Sequence, residues 1–456
     1  MNESQILANH IANTCYEDLH DNAIQVAKKS LLDALGVMLA ASTLGEGCKQ
    51  FLDVALAEGS KPESTILGFG AKASAMMAAF ANGSLAHALD FEDAYDGAPV
   101  HPNAATIPAA LAVAEALGTI SGKQFLTAII LGSDIVCRLG LALRVNPLEY
   151  GWYIPPILGA FGATAAVAKL LNLTAAQIVN AFSLTLCQAT CSAELTSSPR
   201  SMVRSIRDAF AAKAGVLSTQ LAKQGIVGFE QPIEGKAGLF SLYTHGNYDA
   251  AKITMGLGNI FESAKVSFKP WPSCRGTHAY IDAVLQILNE YSLDCNSIQE
   301  ILVTIHPVNK MLCEPAENKQ RPVTAIDAKF SIPFVIATTL VNRRVMLDQF
   351  FPDALENSHV LELARRVKYQ IDSGELENST QGYMEIVTHD QVISKRVEFP
   401  LGHPAKPISQ NALIEKFRNC CQYSARKIAE RNRDEVVDLI LDLEHVENIG
   451  EITARL

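Results

Sequence analysis

The sequence predicts a mainly α protein: a large all-helical domain formed by both chain ends, residues 1–266 and 401–456, plus a smaller α+β domain, residues 267–400. Three observations lead there. A chain of 456 residues is longer than one hydrophobic core usually supports, so two domains are expected. Apolar residues recur at helical spacing through most of the first half, on faces dominated by Ala and Gly, which suits closely packed helices. Near Val266 the texture changes to alternating runs, and beyond Pro407 it is helical again. A helical tail after an α+β insert implies that the tail returns to the first domain.

In chain order, residues 21–39 read as an amphipathic helix with Ile24, Ala27, Leu31, Leu32, Leu35 and Met38 on one face. Residues 51–58 continue the helical pattern. Residues 64–69 are too short to assign and read as an extended connector into a helix at 73–89; another helix follows at 106–118. Ser121 with Gln124, and Thr174 with Gln177, have the spacing of capping boxes and open helices at 125–143 and 178–193. Between them, Tyr150-Gly-Trp-Tyr153-Ile-Pro-Pro156 is an aromatic and proline loop ahead of a helix at 158–171. Cys187 and Cys191, four apart, are expected to share a helix face. Residues 196–207 are polar and basic, with Ser197, Ser198, Arg200, Arg204 and Arg207, and a helix at 208–224 follows. In the second domain, Thr277 is placed to cap a helix at 279–291. Residues 301–305, 367–371, 384–388 and 392–399 read as strands, the last two joined as a hairpin through His389-Asp390, with helices at 330–341 and 360–366 between them. Residues 400–407 are a linker.

Hydrophobic content of 48% with 19% charged residues excludes disorder. A net charge of -10 argues against nucleic acid or an anionic membrane as partner. The start, Met1-Asn-Glu-Ser-Gln, has neither a basic n-region nor an apolar h-region, so no secretory signal is expected. The most apolar windows carry Asp134 and Arg138 or end at Lys169, so no membrane span is expected either. The ten cysteines are scattered without a C-x-x-C pair, which reads as reduced, buried thiols in a cytoplasmic protein.

One stretch concentrates chemistry: His87-Ala-Leu-Asp90-Phe-Glu-Asp93-Ala-Tyr95-Asp96-Gly-Ala-Pro99-Val-His101-Pro102-Asn103. Its prolines place it in a loop between two largely uncharged helices. A carboxylate and an imidazole on such a loop suit proton transfer; a solvated acidic loop is the competing reading. A second stretch, Lys269-Pro-Trp271-Pro-Ser-Cys274-Arg275-Gly-Thr277-His278, carries the cations Lys269 and Arg275. Together with Arg204 these have the chemistry to hold carboxylates, Arg275 bidentately. Ser331 is in no Gly-x-Ser-x-Gly elbow, and neither a G-x-G-x-x-G turn nor a P-loop is present. No His-Glu-x-x-His or paired carboxylate set marks a metal site. Neither cofactor nor metal is expected.

His87-Ala-Leu-Asp90-Phe-Glu-Asp93, His101-Pro-Asn103, Gly159-Ala-Phe-Gly162-Ala-Thr, Lys269-Pro-Trp-Pro-Ser-Cys274 and Asp327-Ala-Lys329-Phe330-Ser331-Ile-Pro333 together resemble the MmgE/PrpD family. Its members include 2-methylcitrate dehydratase, cis-aconitate decarboxylase and iminodisuccinate epimerase. The resemblance spans nearly the whole chain. It implies that the α+β domain is a lid, that the protein is a homodimer, and that it performs cofactor-free lyase or isomerase chemistry on small di- and tricarboxylates. By resemblance, Asp90 matches the family's active-site aspartate, His101 its His-Pro histidine, and Lys269 the lysine of the domain-crossing loop. Arg204 falls where the decarboxylase often has lysine, Tyr153 and Cys274 where it has histidines, and Ala94 where it has threonine. The Lys-x-Trp-Pro-Ser-Cys wording is similar to the epimerase. The expected catalytic residues are Asp90, His101, Tyr153 and Lys269; the expected substrate-binding residues are Arg204, Lys269, Cys274 and Arg275. The reaction expected is proton abstraction next to a carboxylate, as in 2-methylcitrate dehydratase. The alternatives are epimerisation of an iminodisuccinate-like dicarboxylate, and a non-catalytic carboxylate-binding homologue.

Overall fold

The computed structural model describes residues 1–198 and 201–456, so Arg200 lies outside the described residues. The protein is mainly α, with two small sheets among the described residues. The chain divides into two compact units, Met1–Phe268 with Ser409–Leu456, and Lys269–Ile408.

The first unit contains α1 (Glu3–Asn13), α2 (Asp21–Leu44), α3 (Cys48–Ala57), β1 (Ser64–Ile66), β2 (Ala71–Ala73), α4 (Ala75–His87), α5 (Pro102–Leu117), α6 (Gly122–Leu141), α7 (Ile154–Leu170), α8 (Ala175–Leu186), α9 (Val203–Ile206), α10 (Asp208–Lys223), α11 (Leu239–Thr244) and α12 (Ala250–Thr254). Both capping boxes form: Ser121 Oγ accepts the Gln124 amide at 3.3 Å and Gln124 Oε1 accepts the Ser121 amide at 2.9 Å, and Thr174 and Gln177 do the same at 3.3 and 3.0 Å. Pro102 opens α5, where its missing amide hydrogen costs nothing. The Gly-rich helix faces permit close crossings. A Cβ on Gly132 of α6 would lie 2.6 Å from the Gly162 carbonyl of α7, and one on Gly83 of α4 would lie 2.8 Å from the Ala209 Cα of α10. The second crossing brings the end of α4 beside the start of α10.

Three expectations change here. Residues 64–69 are no mere connector: β1 and β2 pair antiparallel, Ser64 opposite Ala73, around a turn with Gly68 and Gly70 at positive φ. Helix α8 stops at Leu186, short of 193, so Cys187 is its C-cap and Cys191 lies in the following segment. There the Thr185 carbonyl takes the Gln188 and Ala189 amides and Tyr243 Oη donates to the Ala189 carbonyl, a tertiary bond that sequence periodicity does not register. All ten cysteines are free thiols, yet Cys15 and Cys187 are exposed rather than buried.

Helix α6 is long and apolar enough to cross a membrane by length and composition, although no span was expected from the sequence. In this fold it is a core helix, with 89% of its apolar window buried. Its charges are neutralised within the unit: Arg138 Nε donates to Asp134 Oδ2 at 2.6 Å.

The second unit runs through α13 (His278–Glu290), β3 (Ile298–Ile305), α14 (Ala316–Gln320), α15 (Ala325–Lys329), α16 (Ile332–Asn342), α17 (Pro352–Leu355), α18 (Ser358–Arg365), β4 (Val367–Ile371), β5 (Gly382–Thr388) and β6 (Val392–Val397). Its sheet has the order β4-β3-β5-β6. β3 and β4 are parallel, as their long helical crossover requires; β5 and β6 form the antiparallel hairpin. The alternating burial of β5 turns Met384 and Ile386 onto a core that includes Tyr280, Ile287 and Phe334. Thr277 does not cap α13. Its Oγ1 is instead shared with Ser273 Oγ at 2.8 Å and donates to the Cys274 carbonyl at 2.8 Å, tying the proline-rich loop to itself.

The tail, α19 (Gln410–Cys421), α20 (Glu430–Leu441) and α21 (Gly450–Thr453), belongs to the first unit. Helix α19 packs on α2, where a Cβ on Gly36 would lie 3.2 Å from the Phe417 Cα.

Candidate active site

Helix α4 is capped by Ser74, whose side chain accepts the Met77 amide, and ends at His87. Residues 88–101 then run to Pro102. Asp90 follows the helix end with φ +50, a left-handed conformation uncommon for a residue with a side chain. Its amide donates to the His87 carbonyl at 2.8 Å. Such strain persists only where surrounding structure enforces it, and here three anchors do. Ala94 and Ser267 exchange backbone hydrogen bonds at 2.9 and 2.7 Å. Tyr95 Oη donates to Glu262 Oε2 at 2.6 Å. From the tail, Lys416 Nζ donates to the Phe91 carbonyl at 2.6 Å, lies 3.7 Å from the Phe91 ring centroid and pairs with Asp33 at 2.6 Å.

Three of the loop's four acids do not face solvent; Asp96 is half-buried. Asp90, Glu92 and Asp93 are each 2% exposed or less, which overturns the reading of a solvated acidic loop. Glu92 is the centre. Its Oε1 meets Nδ1 of His87 and lies 3.0 Å from Nδ1 of His101, and the two imidazole rings are 4.9 Å apart. The Asp93 carbonyl also lies 3.0 Å from His101 Nδ1. Two acceptors at Nδ1 place the His101 hydrogen there and leave Nε2 as the basic nitrogen. The His101 side chain is 17% exposed, so Nε2 is the reachable end of a buried chain. Burial, reinforced by the charge of Arg207, holds His87 below the usual histidine range despite the opposing pull of Glu92. Burial pushes the Asp93 carboxyl up to about 7, even though Asn103 Nδ2 donates to its Oδ2 at 2.5 Å.

The ligand atoms of His87, Asp90, Glu92 and His101 lie within 4.8 Å of one another, close enough to share a cation, where the sequence had marked no metal set. Glu92 Oε1 at the same time lies against both Nδ1 atoms.

Tyr153 is the N-cap of α7, with its amide on the Cys191 carbonyl at 2.9 Å. Arg204 is half-buried in α9, and its carbonyl accepts from Arg207 Nη1. The Arg207 guanidinium lies 4.9 Å from the Tyr153 ring centroid. Within the first unit, then, Asp90 and His101 come together directly, while Tyr153 and Arg204 meet through Arg207. His87, Glu92 and Arg207 are residues that the sequence reading left out of the site. The signal for the first two lay in the motif itself, five residues apart across a helix end. For Arg207 it was an Arg-Asp pair opening an Ala-rich helix.

Lys269, Cys274 and Arg275 lie in the second unit. Lys269 is fully buried and Arg275 is 8% exposed. The Cys274 amide donates to the Lys329 carbonyl at 3.0 Å. Arg275 Nη1 lies 3.3 Å from His278 Nδ1 and 3.4 Å from the Leu401 carbonyl. His278 Nε2 lies 3.1 Å from the Ser273 carbonyl, and its ring meets Trp271 edge-on at 5.2 Å. The loop is thus a rigid mount for its cations.

The MmgE/PrpD N-terminal domain model matches residues 5–251 and the MmgE/PrpD C-terminal domain model residues 271–443. The chain is 25% identical to cis-aconitate decarboxylase of Aspergillus terreus, covering 98% of this chain and 94% of that one. It is 26% identical to the cis-aconitate decarboxylase-like protein oryM of Aspergillus oryzae, with 99% and 96% covered. It is 25% identical to the Homo sapiens cis-aconitate decarboxylase, with 96% and 91% covered. With both domain models matched in order across most of its length, the chain belongs to the MmgE/PrpD family.

Proposed function

We propose that this protein is a cofactor-free lyase that abstracts a proton from the carbon next to a carboxylate of a small di- or tricarboxylate, in the manner of 2-methylcitrate dehydratase. One observation carries the reading: Glu92 binds the Nδ1 side of His101 at 3.0 Å, so that Nε2 is presented as the base. His101 Nε2 takes the proton, and the C–H electron pair moves toward the carboxylate as an enediolate. Arg204, Lys269, Cys274 and Arg275 are assigned to carboxylate binding, with Arg204, Lys269 and Arg275 supplying the positive charge that stabilises the enediolate. Asp90 orients the histidine, and Tyr153 delivers a proton. When the enediolate collapses, a β-hydroxyl leaves as water and a carbon–carbon double bond forms. The names of the fungal and human relatives, which act on a tricarboxylate by losing carbon dioxide, support a lyase of this substrate class. A cytoplasmic homodimer in which the α+β unit serves as lid belongs to the same proposal.

A second reading is epimerisation, in which the proton returns to the opposite face. The Lys269-Pro-Trp-Pro-Ser-Cys274 wording, similar to that of the epimerase, favours it. The experiment incubates the protein with 2-methylcitrate, citrate, cis-aconitate and iminodisuccinate in deuterated water. An unsaturated product with substrate deuteration supports the dehydratase. Deuteration without net product supports the epimerase. Binding with no exchange for any of the four overturns both and leaves a carboxylate-binding homologue.

A further inference from the structure

We propose that Arg207 is the carboxylate-binding residue of the helical unit, its Nε–Nη2 edge taking one substrate carboxylate at two points beside the His87–Glu92–His101 chain. The inference rests on the reading above that the substrate carries carboxylates.

Arg207 is 1% exposed. Its Nη1 is used by the Arg204 carbonyl. Among the described residues, Nε and Nη2 are buried without a hydrogen-bond partner. The nearest carboxylate, Asp208 Oδ2, lies 3.7 Å from Nε. That is close enough to balance charge but too far to accept a hydrogen bond, and Oδ2 is itself without a partner. A buried guanidinium ordinarily satisfies its donors. The same unit supplies the reference: Arg138 is equally buried and has all three nitrogens engaged, by Asp134 and by the carbonyls of Ile253, Met255 and Ile260. The two idle nitrogens of Arg207 are adjacent and parallel, the geometry that a carboxylate fits with both oxygens.

The position agrees. The Arg207 guanidinium carbon lies over the Tyr153 ring, 4.9 Å from its centroid, a cation–π contact that favours this position. Arg207 acts electrostatically on His87 and on Glu92, the residues whose carboxylate and ring adjoin His101. The close crossing at Gly83 locks the end of α4 to the start of α10, so the distance from base to fork is set by helix packing rather than by a loop. A carboxylate held there would present its neighbouring carbon to the imidazole chain.

The test pairs Arg207→Lys with wild type in two measurements, citrate binding by calorimetry and deuterium exchange into the best substrate of the panel. Arg207→Lys keeps the charge and loses the two-point fork, so binding is expected to weaken by about 10–100-fold. KM rises in step and kcat changes much less. Citrate affinity and KM equal to wild type would overturn the proposal while leaving proton abstraction intact. Lost binding in a protein whose wild type shows no exchange would keep the fork and remove the proposed reaction. Absence of both binding and exchange in wild type would remove the two together. Should the variant not fold, a crystal of the wild type soaked in citrate decides. A carboxylate within 3.2 Å of Nε and Nη2 supports the fork, and water or an empty position there with citrate bound elsewhere overturns it.

Discussion

Arg138 and Arg207 stand in the same unit, each next to an aspartate and each 1% exposed, yet they are built for different purposes. Arg138 is saturated: its aspartate accepts at 2.6 Å, backbone carbonyls take its remaining donors, and Asp134 Oδ1 accepts the Glu262 amide at 2.5 Å. Among the described residues, Arg207 has one hydrogen-bond acceptor, the Arg204 carbonyl three residues back, and a carboxylate neighbour at 3.7 Å. A buried charge with every donor engaged holds the fold together; one with idle donors keeps capacity for something that arrives later. The difference teaches that burial alone does not separate structure from function. Hydrogen-bond saturation does.

Four measurements test that contrast. His101→Ala should lower turnover by roughly 10²–10⁴-fold with little change in melting temperature, because its side chain sits at the reachable edge of the cluster; near-normal turnover would remove His101 from the mechanism. Arg138→Ala should do the reverse. It strands Asp134 in the core and should cost about 3–5 kcal/mol of stability, read by denaturant unfolding. An unchanged midpoint would mean that saturation is a poor marker of structural charge.

Asp93→Asn tests burial without an ionic partner. The folded-state pKa of Asp93, about 7, stands above its ordinary 3.8. The folded protein therefore binds the extra proton, and the stability this gives is full below about pH 4 and lost as pH rises through 7. The neutral variant lacks that loss. Its advantage over wild type should grow between about pH 4 and about pH 7 toward about 4 kcal/mol and level off above that. His87, whose pKa is lowered, has the opposite sign, with stability lost as pH falls below 6.5, and it cancels in the comparison. A difference that stays flat with pH would show that Asp93 is ionised throughout. The smallest effect is expected for Lys269→Ala: mainly a KM raised by roughly 10-fold, with a smaller fall in kcat from the lost charge. Steady-state kinetics reads it, and an unchanged KM would make Lys269 a packing residue.

Much of this protein was legible in its residues because the relevant forces are local. Ser121 with Gln124, and Thr174 with Gln177, announce helix starts because their side chains satisfy amides three residues away. The period-2 runs at β5 and β6 announce a hairpin because their neighbours are close in sequence. The loop carrying Asp90 and His101 could be singled out because prolines and a helix end confine it, and the family resemblance then pointed to those two residues. Residue types alone could not say that Asp90, Glu92 and Asp93 are sealed from water, that one Glu92 oxygen serves two imidazoles, or that α8 ends at Leu186 with Tyr243 donating to the Ala189 carbonyl just beyond it. Nor could they separate Arg207 from Arg138. Those outcomes depend on groups far apart in the chain, such as the tail's Lys416 pinning the Phe91 carbonyl, 325 residues away, and Gly83 letting α10 approach α4. Secondary structure follows from interactions spanning a few residues. Protonation and donor saturation follow from which distant side chains share a volume, and that is known only once the chain has packed.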